Sequence, residues 1–357
     1  MKKWTILLLV LLLAMAFITA CDTQSGPSSA ATTPNQTEDK LHIVTTIFPQ
    51  YDWVCRILGE RAKDAEITLL LNNGVDLHSY QPTAEDILKI ATGDVFIYVG
   101  GASDAWVEDA LKESPNEDRV VVNLVEALGD RVREEEIVEG MEHNHDHAHE
   151  DAHDHDDEHE HEDERDHDHE DEHDHEHHHE ADEHVWLSLR HAQTLVGVIR
   201  DAIIEADPTH AELYRDNAAG YIASLAALDA RYQAAVASAE TTTVLFGDRF
   251  PFRYLVDDYD LDYYAAFTGC SAETEASFET ITFLAGKVDE LGLTCVLTLE
   301  KSDQRIAETI IQNTKTRDQV ILSMNSMQST TSNDVAGGAT YLGIMEHNLD
   351  VLEKALK

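Results

Sequence analysis

The sequence predicts an α/β protein of two lobes, each a mainly parallel sheet covered by helices. A long rigid helix joins the lobes, and a disordered loop rich in His, Asp and Glu interrupts the first. Three observations carry this reading. Short apolar runs alternate with amphipathic segments in both halves of the chain, the rhythm of parallel sheets covered on both faces. A helical run of roughly 33 residues, from Asp207 to about Glu240, separates the halves and would span about 50 Å. Residues 142–183 hold almost nothing apolar and cannot build a core.

The chain has 357 residues and a formal charge of −45. Lys2 and Lys3 precede an apolar run, Trp4 to Phe17, followed by Ile18-Thr19-Ala20-Cys21. This is the layout of a secretory leader over 1–20, and the run is short for a membrane span. Residues 21–40, rich in Ser, Thr, Pro and Gln, read as a flexible tether. If Cys21 is modified, Cys55, Cys270 and Cys295 remain, so at most one internal disulfide can form.

An N-terminal lobe is expected over 41–206. Its strands fall at Leu41–Ile47, Ile67–Leu71, Val95–Val99 and Val120–Leu124, each a short run of β-branched or other apolar residues. Helices are expected at Tyr51–Leu58, Pro82–Ala91 and Asp104–Leu111, with Thr83, Glu85 and Asp86 favouring the start of the second. Another covers His184–Ala206. Asp207 is placed to cap the connecting helix, 207–240, with Pro208 in its first turn. The C-terminal lobe, 241–357, repeats the rhythm. Strands are expected at Thr243–Phe246, Tyr263–Phe267, Cys295–Leu299 and Val320–Leu322, and helices at Phe278–Leu291, Gln304–Thr314 and Tyr341–Leu356.

Fifteen of the 21 histidines lie between His143 and His179, alternating with 22 acidic residues between Glu142 and Glu183 and a single arginine. A spacer that only solubilised the chain would need the acids but not the imidazoles. Imidazole with carboxylate binds transition-metal ions. The pattern H-E-x-x-H occurs there three times, starting at His149, His169 and His175. That motif works only on a helix held against a core. In a tract made mostly of His, Glu and Asp the matches are expected by chance. The protein is therefore read as not an enzyme, and a zinc hydrolase would need an open metal position and a placed base that no other motif supplies. The acidic balance excludes nucleic acid as a partner.

Ligands of open α/β sheets gather at the carboxyl ends of strands. His78 falls there, in Gly74-Val75-Asp76-Leu77-His78-Ser79-Tyr80-Gln81-Pro82, and His184 ends the tract in Asp182-Glu183-His184-Val185-Trp186-Leu187-Ser188. Gly247-Asp248-Arg249-Phe250, Glu300 and Asn325 follow strands of the second half. Either histidine alone could be an ordinary solvated loop residue. Two at such positions, beside a histidine-rich tract, point to a metal site. His42, His191, His210 and His347 read as structural.

On these motifs, G-x-D-x-H-x-Y-x-P and D-x-H-x-W-L-S, residues 41–357 resemble the zinc- and manganese-binding lipoproteins that feed ABC importers. The acidic His-rich loop resembles that of the zinc-specific branch. The resemblance implies a lipid on Cys21 and attachment to the outer face of a bacterial membrane. It implies His78 and His184 as metal ligands in the cleft between lobes, Zn2+ as the cargo with Mn2+ as the lesser candidate, and a permease with its ATPase as partners. A monomer is the expected working form. The second lobe departs from the family pattern. Arg249 stands three residues before Phe252-Arg253-Tyr254, where the family has a histidine or glutamate, and Asn325 stands where it has an aspartate. A guanidinium cannot coordinate a cation. Glu300 and Asp248 are the leading substitutes, with a salt bridge and a helix cap as their ordinary roles. Cys270, Glu273 or a tract histidine are further candidates, and Arg249 and Arg253 could instead hold the lobes together. The alternative function is a surface metal store or sensor that uses mainly the tract.

Overall fold

The computed structural model describes residues 40–112, 116, 118–141, 181–271 and 275–357. The expected leader with Cys21, nearly all of the tether, tract residues 142–180 and Glu273 lie outside the described residues.

Residues 40–357 form one compact unit carrying two four-stranded, all-parallel sheets. The first contains β1 (His42–Thr45), β2 (Glu66–Leu69), β3 (Val95–Tyr98) and β4 (Val120–Asn123), in the order β2-β1-β3-β4. The second contains β5 (Thr243–Phe250), β6 (Asp262–Thr268), β7 (Cys295–Leu299) and β8 (Val320–Met324), in the order β6-β5-β7-β8. Strands covered on both faces need apolar residues at consecutive positions. In β7 all five residues are buried, and the one polar side chain, Thr298, pairs with Ser323 Oγ (3.3 Å).

Around the first sheet pack α1 (Phe48–Leu58), α2 (Ala84–Thr92), α3 (Trp106–Lys112), α4 (Leu124–Leu128) and α5 (Leu189–Ala206). α2 starts as its sequence suggests: Thr83 and Asp86 form a reciprocal capping box. The helix expected from His184 begins later, because Ser188 caps α5 by accepting from the backbone of His191. This leaves His184–Leu187 as a tight, wholly buried turn.

The connecting helix α6 (Ala211–Ala237) has 27 residues, about 40 Å. It buries Tyr214, Ala218, Tyr221, Leu225, Leu228 and Tyr232, a stripe spaced alternately by four and three residues. Asp207 does not cap its backbone. The carboxylate instead accepts from Tyr214 (2.6 Å) and from His210 Nδ1 (2.7 Å), across a turn at Pro208–His210.

The second lobe adds α7 (Arg253–Asp258), α8 (Phe278–Leu291), α9 (Arg305–Asn313), α10 (Ser332–Ala336) and α11 (Tyr341–Ala355). α11 reaches back to the first lobe. Tyr341 stacks edge-on against Trp53 and donates to the carbonyl of Trp186 (2.6 Å), while the Trp186 indole donates to the carbonyl of Ser326 (2.8 Å). These buried contacts tie both lobes to the turn that carries His184. Cys55, Cys270 and Cys295 are all free thiols. Among the described residues, no helix is long and apolar enough to cross a membrane.

Candidate metal centre

Two turns present the first-lobe histidines. After β2, the Asp76 carboxylate caps a short turn by accepting from the backbone of His78 (3.1 Å). In the second turn Asp182 accepts both the backbone N–H of His184 and its ring Nδ1, each at 2.8 Å. His184 is fully buried, and Asp182 and Glu183 are 1% and 2% exposed. The Nδ1 of His78 lies 2.7 Å from Ser103 Oγ and 3.5 Å from Glu183 Oε2, whose other oxygen accepts from the backbone of Ser103 (2.8 Å).

A carboxylate on Nδ1 keeps the proton there and leaves Nε2 with its lone pair. The two Nε2 atoms point at each other 3.2 Å apart. Two nitrogens bound to one tetrahedral ion at 2.0–2.1 Å are separated by about 3.3 Å. Burial, and then the neighbouring imidazole of His184, push the His78 pKa down to about 4, so the ring is neutral and competent to coordinate near neutral pH. Behind the rings, burial raises the Glu183 pKa.

One second-lobe side chain joins them. Among the described residues, His78, His184 and Cys270 each bring a donor atom to within 4.8 Å of the others. Cys270 follows β6, and its backbone donates to Glu135 Oε1 (3.0 Å). Burial first, and Glu135 second, raise its thiol pKa. Gln328, 4% exposed, completes the surround. With its amide turned so that the nitrogen donates to the Asp76 carboxylate (3.0 and 3.1 Å), its oxygen lies 2.9 Å from His184 Nε2.

The two leading substitutes do not reach this cluster. Glu300 accepts from the backbone and hydroxyl of Ser326 (both 2.8 Å) and from Ser329 (3.3 Å). Burial raises its pKa. Asp248 sits in a bulge of β5, where the register slips between Phe246 and Arg249. Its oxygens accept from the backbones of Arg249 (2.8 Å) and Leu299 (3.2 Å). Both carboxylates thus stabilise second-lobe loops. Asn325 accepts from Met327 N (2.7 Å) and shapes its own turn. Arg249 crosses the cleft to Asp76 (3.0 Å), and Arg253 reaches Glu136 (2.8 Å). The sequence alone could not rank Cys270 first, because its proximity depends on β6 lying beside β5.

The model of the family described as zinc-uptake complex component A, periplasmic (ZnuA) matches residues 43–355. The zinc-binding lipoprotein AdcA of Streptococcus pneumoniae TIGR4 is 31% identical over 358 residues, 99% of this chain and 61% of AdcA. The chain thus spans about three fifths of the length of that relative. The high-affinity zinc uptake system protein ZnuA of Bacillus subtilis is 28% identical over 355 residues, 99% of this chain and 98% of that protein. Among solved structures, the Zn(II)-bound ZnuA-like domain of S. pneumoniae AdcA has a TM-score of 0.64 at 25% identity, covering 89% of this chain and 99% of that domain. The metal-dependent lipoprotein YcdH of B. subtilis has a TM-score of 0.66 at 25% identity, with the same coverage. Two parallel-sheet lobes, His78 and His184 facing each other from two turns of the first lobe, and a family match over nearly the whole described body agree: the chain belongs to the ZnuA family.

Proposed function

We propose that this protein captures Zn2+ in the cleft between its lobes and hands it to an ABC importer, a permease with a cytoplasmic ATPase. The observation that carries the reading is the pair of buried imidazoles whose Nε2 atoms meet at 3.2 Å, each with its Nδ1 turned to a carboxylate or hydroxyl. Neutral nitrogen donors suit zinc over the hard cations magnesium and calcium and over manganese, which prefer oxygen. Cys21 would carry a lipid that holds the protein on the outer face of the cell membrane, with 21–40 as tether and a monomer as the working form. Residues 143–179 would collect zinc beside His184. The zinc-binding names of the relatives support this reading.

Zinc titration by calorimetry tests it. A soluble form beginning at Lys40 and lacking 143–179 is compared with its His78→Ala and His184→Ala variants. One tight site, lost in both variants, is the expected result. No tight site in the parent form would overturn the cleft and leave the tract as the metal-binding element.

A further inference from the structure

The fold puts Cys270 where the second lobe must contribute to the cleft, and we infer that its thiolate is the second-lobe metal ligand, making a His2Cys site for a thiophilic divalent cation. The inference rests on the cleft reading above and deepens it. Three independent features converge. The Cys270 sulfur lies within 4.8 Å of both imidazole donor atoms. A nitrogen and a sulfur on one tetrahedral zinc, at about 2.0 and 2.3 Å, are separated by about 3.6 Å, within reach of a side-chain rotation. The preceding residue is a glycine for a steric reason: a Cβ at Gly269 would stand 2.9 Å from His184 Cε1 and 2.9 Å from the Phe250 carbonyl. Only a backbone without a side chain there can bring Cys270 this close to His184. Thirdly, the turn is held from both sides. Glu135 accepts the Cys270 N–H, and Arg249 donates to the Ser271 carbonyl (3.4 Å).

The family-pattern position on β5 is occupied by Arg249, whose guanidinium is engaged with Asp76. The thiol comes from the neighbouring strand, since Arg249 and Phe250 pair with Phe267 and Thr268 of β6, two residues short of Cys270. On binding, the S–H bond breaks as the metal–sulfur bond forms, and the proton leaves to solvent. Two imidazoles and a thiolate leave one tetrahedral position, and the Gln328 amide oxygen lies nearby, 2.9 Å from His184 Nε2. A thiolate selects zinc and cobalt against manganese, magnesium and calcium.

Co2+ is the probe, used on the full chain. Residues 143–179 contain no cysteine, so cobalt held there gives no sulfur signal. The expected result is a near-ultraviolet sulfur-to-cobalt charge-transfer band, bleached by one equivalent of Zn2+ once the tract is saturated. It should be lost in Cys270→Ser and in His78→Ala, kept in Cys55→Ser, and unmoved by excess Mn2+. A matched melting curve checks that Cys270→Ser is folded. Zinc should also slow alkylation of Cys270, read by peptide mass spectrometry, without protecting Cys55. A visible cobalt spectrum that depends on His78 and His184 but lacks the sulfur band, or a band that survives Cys270→Ser, would overturn the thiolate and leave the cleft reading standing. A sulfur band that survives both His78→Ala and His184→Ala would overturn the cleft reading itself.

Discussion

Replacing Asp182 by Asn tests how the buried acids prepare the site. The Asp182 carboxylate is almost wholly buried and accepts two hydrogen bonds through one oxygen, from the His184 backbone and from His184 Nδ1, both at 2.8 Å. Asn keeps the shape and an acceptor oxygen but removes the charge. The imidazole then becomes less basic, and the nearby counter-charge for a dication is gone. Partners of this kind typically contribute 10–100-fold to metal affinity, so Asp182→Asn should weaken zinc by about 1.4–2.7 kcal/mol. Glu183→Gln should do less, because Glu183 stands 3.5 Å from His78 and its other oxygen is taken by Ser103 N. Asp182→Ala separates binding from folding. It would strand two buried N–H donors at about 1–3 kcal/mol each and lower the melting temperature of the metal-free protein. The assay is competition for zinc against a chromophoric chelator, on protein lacking 143–179, with melting curves in parallel. If Asp182→Asn binds zinc like the parent, the carboxylate only folds the turn, and the proposed control of His184 is refuted.

His191, 8% exposed on α5 and packed edge-on against Tyr254, offers a pH test away from the cleft. Burial, and then Arg131, lower its pKa from 6.5 to about 4. Between those pH values the unfolded chain binds the proton and the folded chain does not. Stability is therefore full above pH 6.5 and falls as pH drops toward 4, by at most about 3 kcal/mol from this group. His191→Gln should flatten that part of a denaturation-versus-pH curve, and an unchanged slope would contradict the assignment. Arg249→Met removes the ion pair across the cleft. Both partners are about a quarter exposed (27% and 22%), so metal-free stability should drop by less than about 1 kcal/mol; a larger loss in chemical denaturation would make the pair a principal strut of the fold. Gly269→Ala should cost about 1–3 kcal/mol by overpacking and weaken zinc. Gly286→Ala, where an added Cβ meets nothing within 4 Å, should do neither.

The parts of this architecture that the sequence announces are those whose partners are simply apolar. β7 and α8 fall at Cys295–Leu299 and Phe278–Leu291, as their hydrophobic runs predict. The ends of elements that line the cleft are harder to read. β5 runs on to Phe250, four residues beyond its apolar stretch, through Gly247-Asp248-Arg249. The register slips there between Phe246 and Arg249, and Gly247 lies so close to Ala307 that a Cβ would stand 2.7 Å from its Cα. The short helices α4, α7 and α10 span five or six residues, too few for a periodic signal. His78 and His184 stand out because each lies in a dense motif. Glu300 and Asp248 also stand at strand ends, and nothing in a linear pattern tells that their oxygens are already occupied by Ser326, Ser329, Leu299 and Arg249.

If Cys270 is the second-lobe ligand, its exchange of roles with Arg249 follows from charge as well as position. A guanidinium at the end of β5 adds one positive charge beside a cleft meant for a dication, and a neutral ligand elsewhere would leave that repulsion uncompensated. Two features of the site offset it. Arg249 is drawn onto Asp76, which also receives the amide of Gln328, so the cation is turned toward a carboxylate at the cleft's edge. In the His2Cys reading the donor on the adjacent strand then brings a negative charge of its own, where a third imidazole would bring none. The cleft then keeps an attractive field for zinc, and the Arg249–Asp76 pair, weak because it is partly exposed, still joins the two lobes across it.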